Sequence, residues 1–415
     1  MEIEVIDEAM SCGKTMGLIK WMKDNPQNKY LYVSPMLDEV ENRIPDECES
    51  LEFVSPNTLE HRTKSDHLLE LLKEGHNISF THSLFTDLTR EHLYWINIRG
   101  YVLVIDEEVS FIEKYDKYTL GDIVSLEEQG LIEIDENDLG RVKWKWDNMR
   151  DNTKYTPLRR MCDLQMVYCS KRDRDMMVIH LPIELITSAA RVIVSTYLYE
   201  GSIMHKFMEM KNIESKPFKN TIDLCKTTQE VKHLAKNKIH WIPDTRTVKK
   251  VRGYRLTTTW WDKDATPEQL KSVDAAIKSV CRASGHSKEH VMWTVPKSAT
   301  KGASLTKKER KRKRNNRSIS VLGYSHGDCY VSCNAKATNN YSNKRVLVHA
   351  YNRHPPQVVR AYLEDYGFPI DIDQYALSEL VQWVWRSAIR NKEDIQISIL
   401  SNRMRDLFID WLESS

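Results

Sequence analysis

Residues 2–23 read EIEVIDEAMSCGKTMGLIKWMK, and this stretch decides the fold. An alternating strand over Glu2–Ile6 is followed by the loop Ser11-Cys12-Gly13-Lys14-Thr15 and by a helix that starts at Lys14. This is the strand–loop–helix context that a phosphate-binding loop requires. Small residues let backbone N–H groups approach phosphate oxygens, and the N-terminus of the helix adds a partial positive charge. We therefore predict that Ser11–Thr15 bind a nucleotide.

The side chains of this loop suit ATP and Mg²⁺. Lys14 is expected to reach the β- and γ-phosphates, and the Thr15 hydroxyl to complete the shell of a bound Mg²⁺. The loop departs from the pattern GxxxxGK[ST] at its first position, where Glu8 stands in place of glycine. A lysine that merely opens a surface helix is the alternative, and the flanking strand and helix favour the phosphate loop.

The second motif is VLVIDEE at residues 102–108. A continuous apolar strand that ends in acids places Asp106 at the carboxyl edge of a parallel sheet, where α/β proteins bind ligands. Asp106 is expected to hold Mg²⁺ and Glu107 to polarise the water that attacks the γ-phosphate. Carboxylates that only cap the next helix are the alternative. Together with Lys14 and Thr15, the acids complete the set that nucleotide hydrolysis needs.

The third motif is QWVWRSAIR at residues 382–390, which overlaps the end of a predicted helix over 376–389. Gln382, Arg386 and Arg390 recur every four residues, so this helix would present them on one face. Arginine suits the charge that develops on a transferring phosphoryl group. A solvated basic stripe is the alternative, and the tryptophans between these residues favour a packed helix.

Length and patterning predict two α/β domains. The 415 residues are too many for one compact core. Predicted strands and helices alternate in both halves, which is typical of doubly wound parallel sheets. We place the domain boundary in 214–222, which is polar and poor in strand signals. In the second half, 251–258 and 328–333 are predicted strands. The charged, tryptophan-containing region 116–169 is interpreted as an insertion of no assigned task.

Composition narrows the function classes. No apolar run is long enough to span a bilayer, and the acidic N-terminus is unlike a signal peptide, so we expect a cytoplasmic protein. Eight cysteines, none in a CxxC pair, argue against zinc and for reduced thiols.

The 61 basic residues nearly balance the 59 acidic ones, so nucleic-acid binding must rest on local clusters. Lys307–Arg317, KKERKRKRNNR, is such a cluster, or else a solvated loop. Trp260 and Trp261 could stack bases or belong to the core.

The order and spacing of the three motifs resemble superfamily-two helicases and translocases. The resemblance runs from Ser11 to Arg390. Residues 32–35 (YVSP) with Glu39 and Val40, then 81–85 (THSLF) and 337–339 (ATN), are similar to compact helicase-like proteins of bacteriophages. The resemblance implies two tandem RecA-like domains, 1–222 and 223–415, each a mostly parallel sheet flanked by helices. It also implies ATP in the cleft between the domains and a single strand of nucleic acid across both.

The resemblance also implies roles for individual residues. Ser195 and Thr196 would couple hydrolysis to strand binding, here as Ser-Thr instead of Ser-Ala-Thr. Gln382, Arg386 and Arg390 would match the last motif, which inserts arginine into the ATP cleft. The residues expected to contact the nucleic-acid backbone are Ser34, Pro35, Thr81, His82, Thr338 and Asn339.

Two departures from the family pattern, besides Glu8, affect the details. Asp-Glu-Glu at 106–108 replaces the more familiar DEAD or DEAH. No segment precedes the first strand, where DEAD-box RNA helicases carry adenine-recognition elements, so we expect loose base selectivity.

These features predict a monomeric, ATP-dependent motor on single-stranded nucleic acid, with DNA favoured over RNA. Phage DNA replication or recombination in the host cytoplasm is the expected setting. A nucleic-acid-binding scaffold of the same fold without productive turnover is the first alternative, which Glu8 favours. A ring-forming packaging or clamp-loading ATPase is the second, and it would take its arginines from a neighbouring subunit.

Overall fold

The computed structural model describes residues 1–59, 63–146, 153–174, 176–220, 222–300, 318–324, 326–333 and 340–414. Packing divides the chain into two units. Unit 1 consists of Met1–Glu8, Lys14–Asp223 and Pro355–Ile372, and unit 2 of Ala9–Gly13, Leu224–His354 and Asp373–Ser415. The division of the chain into folding domains at residue 222 stays a prediction.

Unit 1 contains a parallel sheet and, inserted into it, an antiparallel sheet. In the described residues the parallel sheet has the order β11-β1-β10-β4-β2-β3, and the antiparallel sheet the order β5-β9-β8-β7-β6. The strands are β1 (Glu2–Asp7), β2 (Tyr30–Ser34), β3 (Ile78–Thr81), β4 (Val102–Asp106), β5 (Ile112–Lys114), β6 (Ile132–Asp135), β7 (Arg141–Trp144), β8 (Val167–Cys169), β9 (Met177–His180), β10 (Arg191–Thr196) and β11 (Glu214–Pro217).

Helices flank both sheets of unit 1. Threonine side chains begin several of them by accepting a hydrogen bond from the first turn, as Thr63 does from the N–H of Asp66. The helices are α1 (Lys14–Asp24), α2 (Ile44–Glu47), α3 (Lys64–Glu74), α4 (His82–Thr86), α5 (Arg90–Arg99), α6 (Leu120–Glu128), α7 (Thr156–Asp163), α8 (Glu184–Thr187) and α9 (Ile203–Met210), with a π-helical turn at Glu39–Arg43.

The register of the parallel sheet aligns the ends of its central strands. Asp106 at the end of β4 pairs with Ser195 of β10, and Ile105 pairs with Val33 of β2. All five residues of β4 are buried, as expected for a central strand covered on both faces. The carboxyl ends of β1, β2, β4 and β10 therefore meet at one edge, which is where ligands bind in such sheets.

Unit 2 contains one parallel sheet, with the order β12-β15-β14-β13 in the described residues. Its strands are β12 (Ile239–Trp241), β13 (Val291–Thr294), β14 (Val346–His349) and β15 (Ile395–Ile399). Its helices are α10 (Thr228–Lys238), α11 (Arg246–Val251), α12 (Pro267–Ala283), α13 (His326–Cys329), α15 (Ile372–Val384) and α16 (Asn402–Glu413), and α14 (Gln357–Asp365) belongs to unit 1. The predicted α/β class, with parallel sheets flanked by helices, is confirmed. Within the ranges described, no helix has the length and apolar composition needed to cross a membrane.

The insertion is a folded layer with its own core. The antiparallel strands run from Ile112 to His180 and, with α6 and α7, enclose buried residues such as Ile123, Leu158 and Val167. This sheet extends slightly beyond the predicted insertion 116–169. Helix α14, although distant in sequence, packs on it: the Tyr362 hydroxyl donates to the carbonyl oxygen of Leu139 at 2.9 Å.

Several predicted elements differ from the observed ones. The edge strand β11 pairs with β1, so the segment placed at the domain boundary does carry a strand. Residues 251–258 are not a strand, since Val251 ends the capped helix α11 and the residues directly after it form turns and bends. Residues 328–333 also differ, since 326–329 form helix α13. Trp260 and Trp261 are buried in a π-helical turn, which favours their reading as core residues.

Candidate functional site

The predicted phosphate loop adopts a backbone conformation that favours glycine at position 13. Gly13 has φ of +91°, and a Cβ on it would lie 2.9 Å from Cys225 Sγ, so no larger residue fits there without strain. Ser11 also adopts the left-handed region, with φ of 66°. The carbonyl oxygen of Cys12 accepts a hydrogen bond from the N–H of Cys225 at 2.9 Å. Neighbouring backbone therefore holds the loop in its turn.

Lys14 is held inward at the start of α1. Its side chain is largely buried, and its Nζ donates to the backbone carbonyl oxygen of Glu8 at 2.5 Å. Because any residue at position 8 offers that carbonyl, the replacement of glycine by Glu8 does not remove this contact. The N–H of Glu8 in turn donates to the carbonyl oxygen of Thr196 at 3.2 Å.

The structure brings the first and second motifs together. Thr15 Oγ1 donates to Asp106 Oδ2 at 3.1 Å, although the two residues are 91 positions apart in the chain. The hydroxyl of Tyr32 donates to the same oxygen at 2.9 Å. His82 Nε2 lies 3.0 Å from the backbone oxygen of Asp106. The aspartate is thus fixed from three elements besides its own strand.

The residues present fit a magnesium ion bound with a nucleotide. Mg²⁺ prefers hard oxygen ligands and in phosphate sites takes only one or two from the protein, with phosphates and water completing the shell. The Thr15 hydroxyl and the Asp106 carboxylate are such ligands, and they already lie within hydrogen-bond distance of each other. They are the two residues that the sequence assigned to the metal.

The end of β10 forms backbone hydrogen bonds with the residues that follow β4 and β1. The carbonyl oxygen of Ser195 accepts from the N–H of Glu107 at 2.8 Å, and that of Thr196 accepts from the N–H of Glu8. Glu107 itself has a positive φ of 63°, so the chain turns sharply after Asp106. The Ser195 Oγ is buried and has no hydrogen-bond partner among the described residues. The coupling role of Ser195 and Thr196 stays a prediction.

A second buried carboxylate lies beside this site and was not assigned from the sequence. The Ser34 hydroxyl donates to Glu39 Oε2 at 2.6 Å, and Arg43 pairs with the other oxygen at 3.2 Å. Burial, and next the charge of Asp106, raise the pKa of Glu39 to about 7. Tyr32 was likewise missed. The available signal was the alternation of Tyr32 and Ser34 on β2, which places both side chains on one face.

The predicted nucleic-acid residues of unit 1 occupy two strand ends. Ser34 is fully buried, with its hydroxyl engaged by Glu39, and Pro35 follows it. Thr81 ends β3 and caps α4 by accepting from the N–H of Leu84 at 3.4 Å, and His82 is buried beneath it. Their contact with a strand stays a prediction. Thr338, Asn339 and the basic run Lys307–Arg317 lie outside the described residues.

The prediction that one helix presents Gln382, Arg386 and Arg390 on a single face is wrong. Helix α15 ends at Val384, because the Ser387 hydroxyl donates to the Val384 carbonyl oxygen at 2.7 Å and the chain turns away. Of the three residues Gln382, Arg386 and Arg390, Gln382 alone lies within this helix. Arg386 lies in the following turn and donates to the carbonyl oxygen of Cys333 at 3.0 Å. Arg390 is exposed on a separate 3₁₀ turn over Ala388–Asn391. Their roles stay predictions.

Comparison with known proteins finds a family model and a curated relative. Residues 229–412 match the model of the YonV C-terminal Rossmann-like domain. The chain is 29% identical over 442 residues to the SPβ prophage-derived uncharacterized protein YonV of Bacillus subtilis (strain 168), with 99% of each chain covered. This prophage-derived relative confirms the predicted resemblance to bacteriophage proteins.

Solved helicase structures are also similar to the chain, at low identity. The XPD helicase covers 99% of this chain with 12% identity, a TM-score of 0.45 and 94% of its own length. The S. tokodaii Xpd4 structure gives 12% identity and a TM-score of 0.41, with 99% of this chain and 93% of its own covered. The S. cerevisiae Dbp5 structure bound to RNA and ADP BeF3 gives 10% and 0.38, covering this whole chain and 84% of its own.

Proposed function

We propose that this protein is an ATP-dependent nucleic-acid translocase or helicase. The observation that carries the proposal is the hydrogen bond of 3.1 Å between Thr15 and Asp106. It joins a lysine-containing loop at the start of a helix to a carboxylate at the carboxyl edge of a parallel sheet. That combination of hydroxyl, lysine and carboxylate is the one with which P-loop nucleotide hydrolases bind a nucleotide and its Mg²⁺.

Each residue has a separate task in the proposed reaction. Ser11–Thr15 bind the phosphates, and Lys14 exchanges its contact with the Glu8 carbonyl for one with phosphate oxygens. Thr15 and Asp106 hold Mg²⁺, which when bound neutralises phosphate charge. Glu107 orients the attacking water and accepts its proton. Arg386 and Arg390 stabilise the charge that develops on the transferring phosphoryl group, and Gln382 belongs to the same predicted motif.

Coupling to a nucleic acid is proposed through the neighbours of Asp106. His82 contacts the Asp106 backbone, and Ser34 contacts Glu39 beside it, so both predicted strand-binding segments connect to the metal carboxylate. Thr338 and Asn339 are proposed to grip the strand from the second half of the chain. Binding and release of the nucleotide would then shift the population between two conformations. Each shift would move the contacts of the protein one step along the strand.

The test is ATP hydrolysis with and without single-stranded DNA. We expect turnover that rises on addition of the strand and that Lys14→Ala lowers by at least about 10²-fold. Lys23→Ala is the matched control, because Lys23 lies in the last turn of the same helix and its contact is with the Glu47 carbonyl. Absence of hydrolysis in the unchanged protein, or equal turnover in Lys14→Ala, would refute the proposal.

The two alternatives give different results in the same assays. A scaffold without turnover would bind single-stranded DNA with an affinity that ATP does not change. A ring-forming ATPase would scatter light as an oligomer, whereas the proposed motor carries its arginines in the same chain and works as a monomer. Comparison of single-stranded DNA with RNA of the same sequence tests the expected preference for DNA.

A further inference from the structure

The Asp106 carboxylate receives two hydroxyl groups on one oxygen. Thr15 Oγ1 and the Tyr32 hydroxyl both donate to Oδ2, at 3.1 and 2.9 Å. Only Thr15 belongs to the nucleotide-binding motifs, so the second donor has no place in the roles assigned so far. Two donors on one oxygen fix the rotation of the carboxylate about its Cβ–Cγ bond.

The position of Tyr32 follows from the register of the sheet. Tyr32 of β2 pairs with Val104 of β4, and Asp106 is two residues further along β4. Residues two apart on a strand share a face, so Tyr32, Val104 and Asp106 lie on one side of the sheet. Tyr32 and Val104 pack there in one core with Leu18 of α1. From this position the tyrosine ring leans along β4 and delivers its hydroxyl to the carboxylate.

The tyrosine is held in place by the core around it. Its side chain is fully buried, and its hydroxyl donates to Asp106 Oδ2 at 2.9 Å. A ring packed in the core has little freedom to leave this contact, so the donor is preorganised.

We propose that Tyr32 is a positioning residue that orients Asp106 for the divalent cation bound with the nucleotide. This inference rests on the proposed function, because it concerns the same site. Partners that orient a metal ligand from outside the coordination shell commonly set metal affinity, and their loss costs about 10- to 100-fold. The nucleotide phosphates contact other residues, so nucleotide binding without cation does not depend on Tyr32.

The chain offers a matched control on the same strand. Tyr30 is also fully buried on β2, and its hydroxyl donates to the carbonyl oxygen of Asn25 at 2.8 Å, not to the site. Tyr32→Phe and Tyr30→Phe therefore remove the same atom from equally buried rings. Tyr30→Phe also removes the hydrogen bond of 3.3 Å that the Tyr30 hydroxyl accepts from Asn28 Nδ2, and neither of its partners belongs to the site. Thermal unfolding of both variants establishes that they are compared in the folded state.

The experiment measures binding of fluorescently labelled ADP, first in EDTA and then across a Mg²⁺ titration, with Mn²⁺ binding followed by electron paramagnetic resonance. We expect Tyr32→Phe to bind ADP normally in EDTA and to need about 10-fold more Mg²⁺ or Mn²⁺ for the cation-dependent gain. Tyr30→Phe should follow the unchanged protein. Equal cation dependence of the two variants would overturn the inference and leave the proposed function intact. Failure of the unchanged protein to bind ADP at all would overturn both.

Discussion

The backbone N–H of Glu107 donates a hydrogen bond of 2.8 Å to the carbonyl oxygen of Ser195. This bond holds the sharp turn after β4, where Glu107 has φ of 63°. The side chain of Glu107 thus leaves the strand in a direction set by the backbone of the neighbouring strand. The turn connects the predicted general base with the predicted coupling residue.

Glu107→Gln should separate nucleotide binding from hydrolysis. The amide keeps the size of the side chain but cannot accept the proton of the attacking water, so turnover should fall about 10²- to 10⁴-fold while the affinity for ATP is retained. Glu113→Gln on the exposed face of β5 is the control. Turnover of Glu107→Gln within a factor of two of the control would remove Glu107 from the mechanism.

Arg390→Ala should lower turnover without loss of stability. Arg390 is exposed on its 3₁₀ turn, so truncation leaves no cavity, and removal of an arginine that stabilises transferred charge costs about 10³-fold. Lys392→Ala, also exposed and two residues away, is the matched control. Urea unfolding checks stability and single-turnover hydrolysis checks the chemical step. Equal turnover of the two variants would contradict the assignment.

The ionisation of Glu39 should make folding stability depend on pH. Its pKa is raised from 4.5 to about 7 in the folded chain. Between these values the unfolded chain has lost the proton that the folded chain still binds, so the free energy of unfolding should fall as pH rises through this window. Glu39→Gln cannot titrate. The unfolding free energy of the unchanged protein minus that of Glu39→Gln should therefore decrease, by about 1 to 3 kcal/mol in total, from pH 4.5 to 7.

The groups that act on Glu39 are present in both the unchanged protein and Glu39→Gln, so their own effects on the unfolding free energy cancel in the difference. Asp106 and Glu107 raise the pKa of Glu39, while Arg43 and the Ser34 hydroxyl lower it. Glu41→Gln serves as the control, because that side chain is exposed and pairs with Lys64 at 2.7 Å. A pH-independent difference for Glu39→Gln, measured by urea unfolding at several pH values, would contradict the prediction.

Two left-handed glycines of the insertion provide a test of how α14 packs. Gly140 has φ of +74°, and a Cβ there would lie 2.1 Å from the Cys169 oxygen and 2.2 Å from the Tyr366 hydroxyl. Gly130 has φ of +69° with nothing within 4 Å. Gly130→Ala should cost about 1 kcal/mol for its backbone alone. Gly140→Ala should cost about 1 to 3 kcal/mol more, because its Cβ would overlap both the Cys169 carbonyl oxygen and the Tyr366 hydroxyl. Equal costs by urea unfolding would show that this contact is loose.

Local pattern was enough to predict the centre of the site. A phosphate loop is a strand, a tight turn and a helix that are continuous in sequence, so 11–15 could be read directly. The position of Asp106 at the edge of the sheet could be predicted because a fully apolar strand that ends in acids is typical of the centre of a parallel sheet. The alternation of strands and helices predicted the parallel sheets for the same reason, since each element is a short-range pattern.

Predictions that depended on long continuous elements were less successful. The helix predicted over 376–389 stops at Val384, where a serine hydroxyl caps the last turn, and this separates Arg386 from Arg390. The four-residue spacing of the motif was real, but spacing implies a shared face only while the helix continues. Polar 214–217 was not read as a strand because an edge strand does not need an apolar face.

The sequence by itself determined the strand–loop–helix segment around Lys14 and the apolar strand that ends in Asp106, because those motifs are short and contiguous. Only the tertiary structure decided what surrounds them. Tyr32 reaches Asp106 through the register of two parallel strands, and Glu39 acquires its raised pKa through burial beside that aspartate. Helix α14 packs on the insertion of unit 1 through a contact between residues 223 positions apart, in which Tyr362 donates to the carbonyl oxygen of Leu139. Register, burial and long-range packing are properties of the folded chain, and no local pattern of residue types encodes them.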